Sequence, residues 1–449
     1  MFGTFRQNKT RLGLLFLLFI SATTPVPAQT AGVPPSATAV ARSDGSSPWT
    51  LNALIDELKR ANPQLRSTQG LARAVQLGVE PVRAPDNPIF SVTQNPVSYN
   101  PFAIGTSQGM TWSVSQNLPW PGKKRLGGEI VQAQADVMKA QVEALQIQLV
   151  GQLKSSWSSW QQLQQQTRLL RSQIERLDQI KQATQLRYAQ NAAAYADNIN
   201  AQINQAQAKN NLLGVEGQAR ILVAQINGLI GRSSATPLQL LEDDLSPSRD
   251  VPILEGLRSM TLERNPAIKA SKYTIQGAQK GVELAELGGR PDFNVSLLFN
   301  SAAPPWGFVN NDSYGISLGV TIPLWYARKE KYLVDQAKAQ LIAIRDSDDS
   351  VRQQALVGVD SAYLQWTQSL DQLKLLEERV LDQARVAYRL SLANYSTGQT
   401  GFVDLMNAYT AMNSAEIATM QARSAAIQAR VALETVVGSN DDVNMGISK

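Results

Sequence analysis

The chain contains no cysteine and no histidine in its 449 residues. The first absence excludes a disulfide framework and thiol chemistry, and the two together exclude the usual zinc sites. Without histidine, the commonest general acid/base residue is also missing. Proline is missing from two long tracts: all 21 prolines lie outside Gly122 to Thr236 and Leu324 to the C-terminus. The apolar run Leu12 to Ile20 has nine residues, well short of the roughly 20 that a helical membrane span needs. It comes after Arg6, Lys9 and Arg11 and precedes Val26-Pro27-Ala28, small residues at the spacing a signal peptidase reads. Residues 1–28 are therefore expected to be a removed secretory signal, followed by a flexible linker over 29–48. No cysteine follows the signal to carry a lipid anchor. The signal holds three positive charges and no negative one, so the formal net charge falls from +5 to +2. A nucleic-acid partner thereby loses its main support, and none is expected.

What is present is a duplication. Asn62-Pro63-Gln64-Leu65 recurs as Asn265-Pro266-Ala267-Ile268, 203 residues on. Pro85-Asp86 recurs as Pro291-Asp292, and Leu118-Pro119 as Ile322-Pro323. Tyr188, Asp197, Asn200 and Ala201 recur as Tyr395, Asp404, Asn407 and Ala408, all at an offset of 207. Four matches in order with offsets between 203 and 207 indicate two copies of one plan. The expected layout is a first repeat over 49–236, an inter-repeat linker over 237–252, a second repeat over 253–437 and a tail over 438–449.

Each repeat opens on a short helical pattern, Leu51 to Arg60 or Ile253 to Arg264, ended by Asn-Pro because the residue before proline is pushed out of helical space. Alternating runs come next. Met110, Trp112, Val114 and Leu118 oppose Thr111, Ser113, Ser115 and Asn117, with Ile89 to Thr93 as a weaker partner strand. Phe293, Val295, Leu297 and Phe299 oppose Asn294, Ser296 and Asn300. Tyr314, Ile316, Leu318, Val320 and Ile322 oppose Gly315, Ser317, Gly319 and Thr321. The segments 95–106 and 301–313 read as long hairpin loops. Alternation alone does not separate a half-buried soluble sheet from one facing lipid.

The proline-free tracts carry heptad columns. Val142, Leu149, Leu163, Leu170 and Leu177 form one, interrupted by Ser156, with Leu153, Trp160 and Ile174 on the adjacent seam. Val359, Trp366, Leu373, Val380 and Ala387 form the other. A continuous helix from Lys123 to Arg187 would be about 100 Å long, far beyond an ordinary domain helix. Four strands per chain cannot close a membrane barrel, since the smallest need about 8, and an open edge in lipid leaves backbone groups unpaired. Copies must therefore pool strands; three give twelve. On this reading Met110, Trp112, Val114, Phe293, Val295, Tyr314, Ile316 and Leu318 face lipid. The basic clusters Lys123-Lys124-Arg125 and Arg328-Lys329-Lys331 fall at the strand-to-helix junction, placed either against anionic headgroups or as solvated helix starts.

The plan, and above all the turnarounds "RYAQNAAAYADNINA" (Arg187 to Ala201) and "NYSTGQTGFVDLMNA" (Asn394 to Ala408), resembles the TolC-like outer-membrane factors of bacterial efflux and secretion systems. The resemblance runs from about Trp49 to Gly438, and "SQNLPWPGKKR" is similar to the version in heavy-metal efflux members. It implies a mainly α fold with a membrane β-barrel: a homotrimer with a 12-stranded barrel continued by a periplasmic α-helical barrel, in the outer membrane of a Gram-negative bacterium. It implies an exit duct whose partners are a periplasmic adaptor and an inner-membrane transporter, opened by splaying of the paired coils. The sequence holds no glycine-rich phosphate loop and no metal motif, so no cofactor and no metal are expected.

Tyr188, Asn191, Tyr395 and Gly398 then mark the adaptor-docking tip or, alternatively, plain helix C-caps; asparagine replaces the family glycine in the first repeat. Asp404 and Asn407, with Asp197 and Asn200 repeating them, match the family's aperture ring, and a carboxylate ring favours cations. Alternatively Asp404 only complements its helix dipole. The family arginine that bridges the closed tip is absent from Gly398-Gln399-Thr400, so hydrogen bonds or packing must replace it. An enzyme reading finds only the adjacent acids Asp243-Asp244 and Asp348-Asp349, both expected to be solvated surface charge. A competing reading is a secreted coiled-coil structural or interaction protein with a soluble β cap.

Overall fold

The computed structural model describes residues 48–95, 109–242, 246–301 and 313–438. The signal segment, nearly all of the linker after it, the two hairpin loops, Asp243-Asp244 and the C-terminal tail lie outside the described residues.

Helix α1 (Leu51–Ala61) buries Leu54 and Leu58, and Thr50 caps it by accepting from the Ala53 amide. The Asn-Pro step ends this helix as the sequence predicts, but it also starts another. The Asn62 Oδ1 accepts from the Leu65 amide at 2.9 Å and Pro63 opens α2 (Pro63–Leu77), the first helical position being the one proline tolerates. The Asn62 Nδ2 donates to the Leu229 carbonyl, 167 residues on. Asn265 does the same between α6 (Leu254–Arg264) and α7 (Pro266–Glu286): its Oδ1 accepts from Ala267 and its Nδ2 donates to the Val436 carbonyl at 2.8 Å. One residue thus ends a helix, caps the next and anchors the last turn of a helix far along the chain. The sequence reading missed α2 and α7, and with them the short α3 (Val79–Arg83).

Strands β1 (Ile89–Asn95), β2 (Gly109–Leu118), β3 (Asp292–Ser301) and β4 (Ser313–Thr321) make one antiparallel sheet in the order β1-β2-β3-β4. The repeats are joined at the β2–β3 seam, and β1 and β4 leave open edges.

From the sheet the chain enters α4 (Lys123–Ala189), 67 residues without a break and about 100 Å long. Along it α5 (Tyr195–Leu229) returns. The first heptad column holds: Leu149, Leu170 and Leu177 are buried, as are Leu153 and Trp160 on the seam, and Leu54, Leu58 and Ile226 pack against the upper part. The second column breaks. In α8 (Glu330–Leu375) Val359, Trp366 and Leu373 are buried, but Val380 and Ala387 are exposed. Burial resumes at Tyr388, two heptads and one residue beyond Leu373, and at Tyr395 one heptad further on. The cause is a π-helical turn, Leu376–Leu381, which carries one more residue than an α turn and shifts the phase before α9 (Asp382–Thr397). Matching positions of the two repeats agree: Leu153 with Val359 and Trp160 with Trp366 lie 206 apart, whereas the tyrosines before the turnarounds, Tyr188 and Tyr395, lie 207 apart. The return helix is α10 (Phe402–Val437).

Polar groups lock these helices together. Glu377, inside the π turn, accepts from Arg423 at 2.7 Å and from Arg249 of the inter-repeat segment at 2.9 Å. Lys154 of α4 pairs with Glu434 of α10 at 2.9 Å, and Arg176 with Glu416 at 2.8 Å. Arg258 of α6 grips both oxygens of Asp360 on α8, at 2.8 and 2.7 Å, and holds its carboxyl below the usual carboxylate range. Asp348 corrects the sequence reading: it is not surface charge but buried, accepting from Ser271 Oγ at 2.6 Å and Arg352 Nε at 2.7 Å. Burial opposes its ionisation, yet those two donors still keep its pKa low.

Candidate functional site

The strand register sorts every described strand residue onto one of two faces. Directly paired residues share a face, and the pairs run Val92–Trp112–Phe299–Tyr314, then Phe90–Val114–Leu297–Ile316, then Leu118–Phe293–Val320. Val295 and Leu318 continue this face beside Gln116. Met110, opposite Gln94 and Ser301, closes its upper end. The other face carries Ser91, Ser113 and Gly315, Thr111, Asn300 and Ser313, and Asn117, Asn294 and Gly319; Leu298 and Ile89 depart from it. Its side chains bond to each other, Ser91 Oγ with Ser113 Oγ at 2.7 Å and Thr111 Oγ1 to Asn300 Oδ1 at 2.8 Å. All eight residues expected to face lipid lie on the apolar face. Among the described residues much of this face is open, Tyr314 at 85% and Leu318 at 73% exposed, while Met110, Trp112 and Val295 are half-buried. Among the described residues no helix is long and apolar enough to cross a membrane.

At the foot of the sheet the two basic clusters differ. Lys123 pairs with Asp292 at 2.8 Å, Lys124 with Asp86 at 2.6 Å, and Arg125 with Glu129 one turn on. The repeated Pro-Asp step, noticed in the sequence only as a repeat, supplies both acids. Arg328, Lys329 and Lys331 make no ion pair among the described residues.

At the far end both coils reverse through the same capping arrangement. The Asn191 amide donates to Tyr188 O at 2.9 Å and the Ala192 amide to Arg187 O at 2.8 Å; the Gly398 amide donates to Tyr395 O and the Gln399 amide to Asn394 O. These are Schellman motifs, which require a left-handed residue. Gly398 supplies it at φ 84°, and Asn191 at φ 59°, the sole non-glycine of positive φ among the described residues. The tyrosines part company. Tyr188 is exposed and packs on Tyr195 with ring centroids 5.3 Å apart, whereas Tyr395 is 1% exposed, against Phe402. A contact that sequence reasoning missed joins the two turnarounds. Arg187, from the first turnaround, donates to Tyr395 O at 2.9 Å and Ala192 O at 3.0 Å, and lies 4.6 Å above the Tyr395 ring. Burial and then the charge of Asp197 push the Tyr395 phenol pKa up, against Arg187. Asp404 and Asn407 are exposed on one side of the first turns of α10, and the Asp404 carboxylate has no hydrogen bond or ion pair among the described residues of its protomer. Asp197 and Asn200 hold the matching places on α5, the former half-buried. Among the described residues no three metal-ligating side chains gather.

A family model described as "Outer membrane efflux protein" matches residues 54–232 and again 257–439. The chain belongs to the outer membrane efflux protein family. Its place is thus the outer membrane of a Gram-negative bacterium, with a large periplasmic portion. Members and structural neighbours are channels rather than enzymes. The chain is 23% identical over 307 residues to the pyoverdine export outer membrane protein OpmQ of Pseudomonas aeruginosa, covering 66% of this chain and 62% of that one. It therefore spans about three fifths of that curated relative. Its fold is similar to the outer-membrane channel OprN (TM-score 0.75, 20% identity, 87% of this chain and 90% of that chain). It is as similar to CusC (TM-score 0.75, 16% identity, 87% and 92%), described in terms of folding and transmembrane channel formation.

Proposed function

We propose that this efflux protein is the exit duct of a tripartite export system, a homotrimer that takes cargo from an inner-membrane transporter and a periplasmic adaptor to the outside. The observation that carries the reading is the two-faced sheet with two open edges. An apolar face of four strands beside a polar one is what a barrel wall between lipid and a water-filled lumen requires, and four strands cannot close alone. Three copies supply twelve. Met110, Trp112, Val114, Phe293, Val295, Tyr314, Ile316 and Leu318 then contact outer-membrane lipid. Family membership leaves the secreted-scaffold alternative without an observation in its favour.

Within that duct Asp404 and Asn407 form the aperture ring, with Asp197 and Asn200 beside them. An exposed carboxylate that nothing in its own protomer neutralises suits a site completed by its copies. The exposed Tyr188, with Asn191 and Gly398 at the turns, presents the tip to the adaptor; Tyr395 serves from inside, as the platform under Arg187. In planar bilayers, Asp404→Ala is expected to move the reversal potential in a salt gradient toward that of an unselective pore. Unchanged selectivity in an assembled channel would remove Asp404 from the constriction.

A further inference from the structure

The strand order explains why one basic cluster is neutralised and the other is not. β2 lies between β1 and β3, so the turn after it is flanked by the acids at the feet of both neighbours, Asp86 and Asp292. Lys123 and Lys124 consume them, and Asp292 also accepts from the Trp120 amide at 2.7 Å. β4 is an edge strand whose single neighbour, β3, has already committed its acid toward β2. In a ring of copies its other neighbour is the next β1, whose acid is likewise held by that copy's own lysine. Arg328, Lys329 and Lys331 are therefore left unpaired by the topology itself. Glu330, the acid in the same stretch, does not relieve them: its Oε2 is sealed from solvent without a hydrogen-bond partner.

The surroundings say what anion would meet these charges. The cluster comes directly after the apolar face of β4, through Ile322, Leu324 and Trp325, which are 66%, 78% and 68% exposed. The turn is ordered, since the Arg328 and Lys329 amides both donate to Trp325 O and the Lys331 amide to Tyr326 O at 3.0 Å. Tyr326 packs on Gly289, where a Cβ would lie 2.6 Å from its ring, and Trp120 stacks on Phe293 at the same level. Exposed tryptophan and tyrosine under an apolar band are the residues that sit at headgroup depth. Cations just below them meet lipid phosphate.

We propose that Arg328, Lys329 and Lys331, framed by Trp325 and Tyr326, bind the headgroup of an anionic phospholipid in the periplasmic leaflet. The site rests on the reading of the apolar sheet face as a lipid contact. Lys123-Lys124-Arg125 is no second copy of it, because its charges are spent inside the protomer.

The test is native mass spectrometry of the purified full-length protein in detergent, titrated with phosphatidylglycerol or phosphatidylethanolamine. Phosphatidylglycerol is expected to be retained in preference, and Arg328→Gln with Lys329→Gln and Lys331→Gln is expected to weaken retention on the order of a hundredfold. The matched change at three exposed cations elsewhere, Arg66→Gln with Lys209→Gln and Arg220→Gln, is expected to leave it unchanged. Equal retention of the two lipids, or full retention by the first triple variant, overturns the proposal. So does displacement of the lipid by inorganic phosphate alone. Absence of retained phosphatidylglycerol from the unaltered protein, as when a neighbouring copy or a protein partner covers the cluster, overturns it too. Conductance of the same preparation separates the two readings: a conducting channel without lipid preference refutes only the headgroup site.

Discussion

At the scale of single residues, Arg187 ties the two turnarounds together: it donates to the Tyr395 and Ala192 carbonyls and lies over the Tyr395 ring. The left-handed cap could be read from Gly398 and from its replacement by Asn191, because few side chains tolerate that conformation. The partnership of Arg187 with Tyr395 could not, since 208 residues separate them and Arg187 looks like any basic residue near a helix end. Arg187→Ala removes two charge-assisted hydrogen bonds to carbonyls and a ring contact. Amide exchange at Gly398 to Thr400 is expected to speed up roughly tenfold or more with global stability nearly kept. Unchanged exchange would show that the second turnaround holds itself. The Arg258–Asp360 pair makes a pH prediction. The Asp360 pKa is depressed in the folded chain from its usual 3.8, so its stabilisation is present above that value and fades as pH falls through the folded pKa. Melting temperature should therefore drop on acidification below about pH 4, and drop less steeply in Arg258→Gln. Parallel melting curves against pH would contradict this.

At the scale of elements, periodicity carried the strands and the long helices almost whole, because each keeps one apolar face along its length. It failed where one residue disturbs the period. Val380 and Ala387 belong to the heptad column by spacing alone; the π turn at Leu376–Leu381 rotates them out and brings Tyr388 and Tyr395 in. Deleting Val380 should let the turn revert to α geometry and place Tyr388 and Tyr395 two and three whole heptads beyond Leu373, so that α9 keeps its face toward α10. Tyr388 and Tyr395 would stay in their core, so thermal stability should be nearly kept; a large loss of stability in the deletion variant would deny the turn its role as a phase corrector. The helices α2 and α7 were missed for another reason. Asn-Pro reads as a stop, while the same asparagine also caps the next helix and anchors a distant carbonyl. Asn62→Ala and Asn265→Ala should each lower stability by about 1 kcal/mol for the cap and more for the lost anchor. Chemical denaturation measures the difference, and a neutral substitution would mean that water takes over both bonds.

At the scale of the whole molecule, the number of strands decides. Sequence alone yielded four alternating segments in two repeats, and the structure assembles them into one sheet with an apolar face, a polar face and two unpaired edges. The proposed count of three copies rests on closure and on the resemblance to the family, not on any contact inside a protomer. On the proposed function, cargo and cognate pump would leave no mark on a wall of small polar side chains, which is why neither was legible. The most direct measurement is the native mass of the protein extracted from outer membranes in detergent. The account predicts a single species of three protomers, and a stable single-protomer mass, or any stoichiometry other than three, would contradict it.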